Sequence, residues 1–323
     1  MRLNMILVMG FIFINGVIGQ TFEDYDETIK LDDKEISFKM IAVAGGDFLM
    51  GSPAEQNGSR SDERPIHKVG IDSLWVGQFE VTWDLYNLFL DKEISLIAKE
   101  EILEEKLDAI TRPSPPFEDP SRGMGQENYP VVNISPYAAL TFCKWLSTIT
   151  GNFYRLPTEA EWEYSCRAGS SDAYPFGDDL SELPKYAVFF ENSNGQYAKV
   201  GSKKPNKWGI YDMIGNVSEW TLDFYDASFY KNLSDKDTKN PWNVPYALHP
   251  RVYRGGSWDD NADRLRCAAR EGSGLNLQRG DPQVPKSFWW YTNSEFIGFR
   301  IVRPYRQIKE KEFFEFWTKA LDE

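Results

Sequence analysis

Alternating apolar and polar positions predict short β-strands near the start of the chain. The first such pattern covers residues 36–43, and a Gly45-Gly46 turn separates it from strand-like runs at residues 48–51 and 74–81. Residues 20–35 are instead acidic and only weakly apolar. We therefore expect residues 20–35 to form a loose acidic arm ahead of the folded part.

Three helices are predicted from the residues that would begin them. Thr82 is a favourable N-cap for a helix that runs to residue 90. Ser135 precedes Pro136, and proline suits the first helical position because its missing N–H has no partner there anyway. Thr158 and Glu161 have the spacing of a capping box, in which each side chain accepts from the other residue's backbone N–H.

The rest of the chain is interpreted from its charges and its turn residues. Residues 91–112 have a charged helical pattern and residues 113–125 are rich in proline, so we read 91–125 as an insert. Between residues 169 and 304 helical periodicity almost disappears, which is typical of short strands joined by long loops. Residues 305–323 predict a C-terminal helix with one apolar face, made by Phe313, Phe314, Trp317 and Leu321. We expect one domain over residues 36–304.

The first nineteen residues have the layout of a secretory signal peptide. Arg2 supplies a positive end, residues 5–16 are apolar and uncharged, and cleavage is expected near Gly19. The apolar run is short for a membrane span, which needs about 20 residues. No cysteine follows it, so lipid attachment at a mature N-terminal cysteine is excluded. We expect an exported protein, periplasmic or extracellular, without a membrane span.

The composition restricts the classes of partner and of metal site that the chain can have. Lys and Arg number 36 against 49 Asp and Glu, a formal net charge of −13. Because nucleic-acid binding depends on cations that neutralise phosphates, a nucleic-acid partner is not expected. The chain has two histidines, His67 and His249, so one chain cannot build a three-histidine metal site. We expect a monomer.

Four ordered segments carry a resemblance to a known family. They are GDFLMG at 46–51 with EVT at 80–82, RLPTEAEWEY at 155–164, GIYDMIGNVSEW at 209–220, and RGGSW at 254–258 with a closing GFR at 298–300. In this order the chain resembles the formylglycine-generating enzyme, or sulfatase-modifying factor, family over about residues 36–304. The resemblance implies an α+β fold, a variant of the C-type lectin fold with little regular secondary structure.

The chemistry of the namesake depends on residues that this chain lacks. The family's oxidase uses two cysteines shortly after the Gly-Gly-Ser segment to bind copper and oxidise a cysteine in a target sulfatase, and soft thiolates are what Cu(I) prefers. Here residues 257–267 read SWDDNADRLRC, with Asp, Asn or Ala where the pair would fall, and the loop is shorter. Copper is therefore not expected, and the chain is interpreted as a divergent member without the catalytic pair.

The resemblance also implies a disulfide. Cys166 and Cys267 match two positions that are bridged in animal members of the family. Cys143 matches one half of a second bridge, but the partner position falls at Ile301. The alternative is three buried thiols, because cysteine is among the most buried residue types.

A structural Ca²⁺ site is implied in the 212–219 loop. The matching donors are the carboxylates of Asp212 and Glu219 and the backbone carbonyls of Gly215 and Val217. Hard oxygen donors from a tight turn suit this ion. The alternative is an acidic surface turn in which Glu219 caps backbone amides. A second calcium loop of the family would lie near residues 186–195 but is not carried over, because Val188 replaces an oxygen donor.

Family members line their pocket with the segment that follows Gly-Gly-Ser. Ser257 matches a residue beside the reacting centre, and here we expect it to support the backbone. Trp258 could line a binding surface. The charged residues that follow could form a polar cleft for acid–base work or for a cationic group: Asp259, Asp260, Asp263, Arg264, Arg266 and Arg270. The alternative is a solvated loop held in shape by Asp–Arg pairs.

Three functions follow as hypotheses. The first is an exported module that binds a ligand or an exported protein or peptide, or an enzyme of different chemistry. The second is a formylglycine-generating oxidase with altered catalytic residues, which the missing cysteine pair disfavours. The third is a structural component of an envelope or secretion system, which the missing lipid-attachment cysteine disfavours. Fold alone does not decide between them.

Overall fold

The computed structural model describes residues 21–31, 34–91, 113–234 and 238–321. The expected signal peptide and the charged part of the insert, residues 92–112, lie outside the described residues. Residues 113–125 contain neither helix nor strand, as the prolines predict. Among the described residues, no helix is both long and apolar enough to cross a membrane.

Within the described residues, short strands form three small sheets. The first has the order β1-β2-β5-β11, in which β1 is Tyr25–Leu31, β2 is Lys34–Val43, β5 is Leu74–Gly77 and β11 is Val302–Pro304. The second has the order β10-β6-β8-β9, with β6 at Ser218–Phe224, β8 at Arg251–Arg254, β9 at Arg270–Gly272 and β10 at Ile297–Gly298. The third has the order β3-β4-β7, with β3 at Gly46–Met50, β4 at His67–Ile71 and β7 at Thr238–Lys239.

The acidic segment is not a loose arm. β1 pairs antiparallel with β2, with Tyr25 opposite Met40. Ile29 is buried, the Tyr25 ring lies 5.5 Å from that of Trp75, and the Trp75 indole donates a hydrogen bond to the Glu23 carbonyl. Asp26 and Lys30 occupy outward positions of the strand, whereas Glu27 lies on the inward face and accepts from the Asn152 side chain, so the segment is acidic in composition and yet packed on one face. The expectation for residues 20–35 is therefore wrong, and the first strand begins at Tyr25.

The predicted helix starts are confirmed. The helices are α1 Trp83–Leu90, α2 Pro136–Thr150, α3 Glu159–Arg167, α4 Leu183–Tyr186, α5 Phe229–Leu233 and α6 Glu310–Leu321. The side chains of Thr82 and Ser135 each accept a hydrogen bond from the backbone N–H three residues further along the chain. The Thr158–Glu161 capping box is complete. Side-chain oxygens thus satisfy amides that a helix start leaves unpaired.

The C-terminal helix begins later than predicted, and one of its residues faces away from the core. Trp317 and Leu321 are buried, whereas the Phe314 side chain is 54% exposed. At 3.6 residues per turn, positions 313, 317 and 321 follow one face, and position 314 is rotated by about 100° from it. Phe316 packs against the core instead of Phe314.

Candidate functional site

A cavity of about 220 Å³ opens beside the loop that follows β8. Four of the predicted residues line it, namely Ser257, Asp259, Asp260 and Arg264. Tyr253, Glu271 and Phe296 line it as well, and they come from β8, from β9 and from the segment before β10. We refer to this cavity as the loop pocket.

Trp258 and Asp263 do not line the loop pocket. Trp258 is 9% exposed, packs in the hydrophobic core, and donates from its indole nitrogen to the Glu295 carbonyl at 3.3 Å. Asp263 is exposed on a 3-10 helix, Ala262–Leu265. The side chains that follow Gly-Gly-Ser therefore point in different directions.

Glycine allows the chain to turn into the pocket. Gly256 has φ +66°, and a Cβ there would lie 2.7 Å from Leu265 Cδ1 and 3.0 Å from the Arg264 carbonyl oxygen. Those distances are too short for any side chain. The close approach brings the residues after Gly256 back over the 3-10 helix.

Ser257 and Asp260 hold the loop in shape. Asp260 Oδ2 accepts from the Ser257 backbone N–H at 3.0 Å and from the Ser257 hydroxyl at 2.7 Å. The Asp260 carbonyl accepts from the Phe190 N–H. Burial raises the pKa of the Asp260 carboxyl above its ordinary value, although the two bonds from Ser257 oppose the rise. The geometry fits the supporting role expected for Ser257.

Arginine at the pocket pairs with glutamate. Glu271 accepts from Arg60 at 2.8 Å and also contacts Arg264, so one carboxylate is shared by two guanidinium groups. Burial raises the pKa of Tyr253 to about 12, so this hydroxyl stays protonated beside them. Glu271 and Tyr253 were not predicted from the sequence, because the pairing of β8 with β9, and no local motif, brings them together.

Arg266 and Arg270 belong to the core below the pocket. Arg266 is 2% exposed and binds both oxygens of Glu63, at 2.7 and 2.8 Å. Arg270 is 1% exposed and binds both oxygens of Glu159, at 2.8 and 2.7 Å. The expectation that these two arginines line the cleft is wrong, because buried glutamates from distant segments pair with them.

The three cysteines lie outside the loop pocket. Cys166 on α3 and Cys267 are joined in a disulfide with a Cα–Cα distance of 5.8 Å, the pair that the resemblance implies. Cys143 on α2 is a free, buried thiol, and burial raises its pKa. None of the three is among the residues that line the pocket.

The 212–219 loop is buried and acidic. Arg300 binds both Glu219 oxygens at 2.6 Å, and the Trp162 indole donates to Glu219 Oε2 at 2.7 Å. Asp212 accepts from the Gly201 N–H at 2.6 Å. Asp212 and Glu219 are 3% and 1% exposed, so the alternative of a surface turn in which Glu219 caps amides is wrong.

Glu80 adds a third carboxyl group to this loop. Its Oε1 accepts from Asn216 at 2.9 Å, and its buried Oε2 has no hydrogen-bond partner among the described residues. Burial and the Asp212 charge raise the pKa of Glu80, and burial raises the pKa of Asp212 to about 6. The loop thus holds more negative charge than Arg300 can balance.

The donor set fits a calcium ion only in part. Arg300 leaves the carboxyl groups of Asp212 and Glu80 unbalanced, but it occupies both Glu219 oxygens. In the described part of the chain, no three His, Cys, Asp or Glu side chains are arranged to hold a metal ion. Calcium therefore stays a prediction.

The sulfatase-modifying factor enzyme 1-like domain model matches residues 26–304. The chain belongs to this family. It is 29% identical to the mouse formylglycine-generating enzyme over 275 residues, which cover 72% of this chain and 70% of the mouse protein. It is also 32% identical to the serine/threonine-protein kinase pkn1 of Chlamydia caviae over 258 residues, 79% of this chain but only 38% of that protein.

The solved structure of PvdO from Pseudomonas aeruginosa has a similar fold. The TM-score is 0.59 with 26% sequence identity, and the match covers 82% of this chain and 94% of PvdO. This sulfatase-modifying factor family member therefore has the mixed α+β fold, related to C-type lectins, that the motifs imply. The chain spans 38% of the chlamydial relative, so the activity of that whole protein is not transferred to it.

Proposed function

We propose that this family member is an exported binding protein that does not perform copper-dependent oxidation, and that its loop pocket holds a cationic side chain of a partner protein or peptide. The observation that carries the proposal is the wall of the pocket. Asp259 and Asp260 line it, in the segment where the resemblance implies the cysteine pair of the family's oxidase. The Cys166–Cys267 disulfide supports export, because disulfides persist mainly in oxidising compartments outside the cytosol.

The charges of the pocket favour a cation over an anion. Glu271 is already balanced by arginine, and Asp260 is bonded to Ser257. Asp259 is exposed at the mouth of the pocket, where it can accept from a ligand. The aromatic rings of Tyr253 and Phe296 offer faces to which a cation is attracted.

The size and the net charge of the protein support the same ligand class. A volume of about 220 Å³ is small for a drug-sized ligand, which needs roughly 300 Å³ or more, but admits one long side chain. A net charge of −13 attracts basic partners from a distance and speeds their encounter.

An oxidation assay tests the first half of the proposal. The pure protein is incubated with copper, oxygen and a peptide that carries the sulfatase Cys-x-Pro-x-Arg motif, beside an active formylglycine-generating enzyme. We expect no aldehyde by mass spectrometry. Aldehyde formed at catalytic turnover, both by the wild type and by a Cys143→Ser variant, would contradict the proposal.

A binding titration tests the second half. Three peptides that differ only in a central Lys, Gln or Glu are titrated by calorimetry. We expect the Lys peptide to bind best, and Asp259→Asn to weaken it by roughly tenfold, the value of one hydrogen bond to a charged group. Glu35→Gln removes the same charge on β2, beside Lys30, and should have no such effect. Equal binding of the Lys and Glu peptides would exclude a cation site.

A further inference from the structure

A second cavity, of about 250 Å³, lies between α2, the segment before β8 and the end of α6. We refer to it as the helix pocket. It shares no lining residue with the loop pocket, and most of its lining is apolar, with Leu140, Leu248, Phe288 and Leu321 among the lining residues. Two cationic side chains also line it, Arg251 and Lys319.

Arg251 differs from every other buried arginine that the structure describes. Five of the six have a carboxylate oxygen within 4.0 Å, as follows: Arg167 with Glu163, Arg254 with Glu163, Arg266 with Glu63, Arg270 with Glu159, and Arg300 with Glu219. Arg251 is 6% exposed and has no ion pair with a described residue. Its Nε has no hydrogen-bond partner there, and its Nη2 reaches only the Leu222 carbonyl at 3.5 Å.

No described carboxylate lies within ion-pair distance of Arg251. The Asp223 charge acts on it, but the two Asp223 oxygens accept from the backbone amides of Asn243 and Glu159 at 2.9 and 2.7 Å. His249 contacts Ser273 and Tyr291 instead. Burial lowers the pKa of Arg251 to about 10, whereas their glutamate partners raise the pKa of Arg254, Arg270 and Arg300.

An unpaired buried charge is costly to the folded state unless something pairs with it. An anion that enters the helix pocket would remove this cost, and the apolar lining would favour an apolar body attached to it. At ~30 Å³ for each group of the size of a water molecule, the volume admits about eight such groups.

We propose that the helix pocket binds a small monocarboxylate with an apolar body, and that its carboxylate pairs with Arg251. Lys319 is exposed at the rim and adds a second positive charge. The 63% exposed Phe288 and the 40% exposed Leu248 extend the apolar surface outward. This site is independent of the function proposed for the loop pocket.

The test compares three probes that differ in one functional group: hexanoate, hexanamide and hexylamine. Calorimetry and ¹³C-labelled hexanoate in NMR titrations report binding to the full chain. We expect hexanoate to bind at least tenfold more tightly than hexanamide, and hexylamine not to bind. Arg251→Met should remove the preference for hexanoate without lowering the melting temperature, because it also removes an unpaired buried charge.

A second variant leaves Arg251 intact and fills the space. Ala247 lines the pocket from an exposed position, so Ala247→Trp should abolish binding of hexanoate while the protein stays folded. Equal affinity for hexanoate and hexanamide, or unchanged affinity in Arg251→Met, would overturn the proposal.

The next carboxylates along the chain are those of Asp322 and Glu323, which follow Leu321 in the sequence. The probes are therefore also titrated into an Asp322→Asn, Glu323→Gln double variant. Binding of hexanoate by the wild type and by the double variant supports a separate ligand. Binding by the double variant alone would show that the chain's own acids fill the pocket, and would overturn the proposal.

Discussion

Two buried charged regions contact the Trp162 side chain, one over the ring face and one at the indole N–H, and they are balanced differently. Over the ring face, Arg254 lies 5.3 Å from the ring and binds Glu163, with two further arginine–glutamate pairs beside it. At the N–H, the indole donates to Glu219, where Glu80, Asp212 and Glu219 share one arginine. In the first region every glutamate is paired with arginine, whereas the second has more carboxyl groups than arginines and needs protons or a cation. Burial alone therefore does not show whether a charged cluster only stabilises the fold or also responds to pH and cations.

The Cys166–Cys267 disulfide crosslinks the region of arginine–glutamate pairs around Arg254, which we call the balanced region. Loss of this disulfide should lower the stability of the protein more than any other change considered below. Cys166 and Cys267 are 101 residues apart and adjoin Arg167 and Arg266. A loop of that length constrains the unfolded chain by about 4–5 kcal/mol in the chain-entropy model. We expect Cys267→Ser to lower the free energy of unfolding by about that amount in denaturant titrations. Cys143→Ala, which removes the free thiol, serves as the control.

Peptide mapping without reductant checks the pairing itself. We expect a Cys166–Cys267 bridge, and alkylation of Cys143 only after unfolding. Recovery of all three cysteines alkylated, from protein that was never reduced, would show that the bridge is absent.

Removing one partner of a balanced pair should be nearly as damaging. Glu163 accepts from Arg167 and Arg254 and from the Gly51 N–H, and these groups hold its pKa below the usual range. Glu163→Gln leaves the buried Arg167 and Arg254 without the negative charge of their shared carboxylate. We therefore expect the free energy of unfolding to fall by about 3–5 kcal/mol.

The control for this variant is an exposed pair. Lys30 and Glu35 are 3.2 Å apart with side chains that are 71% and 58% exposed, so Glu35→Gln should leave the unfolding midpoint almost unchanged. Similar losses in both variants would remove the distinction between balanced and exposed charges.

The acidic region should respond to calcium. If Ca²⁺ binds the folded state alone, it adds about 2.7 kcal/mol at a hundredfold excess over Kd. Asp212→Asn is the better probe, because Glu219→Gln would also break the pair with Arg300. We expect Ca²⁺ to raise the melting temperature of the wild type, and Asp212→Asn to abolish the rise. A wild-type melting curve that EDTA and Ca²⁺ both leave unmoved would exclude the ion.

The same region should respond to pH in the absence of calcium. The pKa values of Asp212 and Glu80 are raised in the folded state, so folding retains protons that the unfolded chain releases. The contribution of Asp212 to stability is therefore full below about pH 4 and is lost as the pH rises through about 6, and that of Glu80 is lost as the pH rises through its own raised pKa, on the order of 1 kcal/mol for each unit of pKa shift.

Glu80→Gln isolates this contribution. A glutamine oxygen can still accept from Asn216, so the hydrogen bond can remain while the charge is lost. We expect Glu80→Gln to become more stable, relative to the wild type, as the pH rises from 4 to 8. A difference between the two proteins that stays constant across this range would contradict the raised pKa of Glu80.

Local signals were sufficient for part of the fold. The Thr158–Glu161 capping box and the Ser135 cap involve residues three positions apart, and both are present. The same holds for the pocket residues that follow Gly-Gly-Ser directly, because one loop carries them. The first strand was missed because its outward acidic residues resemble those of an unstructured segment.

Long-range pairing explains most of what the sequence could not predict. Arg266 and Arg270 stand in the same charged run as Arg264, yet they turn inward because Glu63 and Glu159 lie 203 and 111 residues away. Nothing in the local pattern separates an arginine that lines a pocket from one that pairs in the core. Arg251 shows the same difficulty, since only the three-dimensional structure reveals that it has no carboxylate partner in the part of the chain that is described.

The order of the first sheet has a consequence for how copies of this protein meet one another. An open strand edge can pair with another chain and begin aggregation. β1 forms one edge, and Asp26, Thr28 and Lys30 occupy its exposed positions, so a second copy would have to place like charges opposite one another in some registers. β11 forms the other edge and ends at Pro304, which has no N–H to donate. Both edges of this sheet therefore discourage the addition of a further strand.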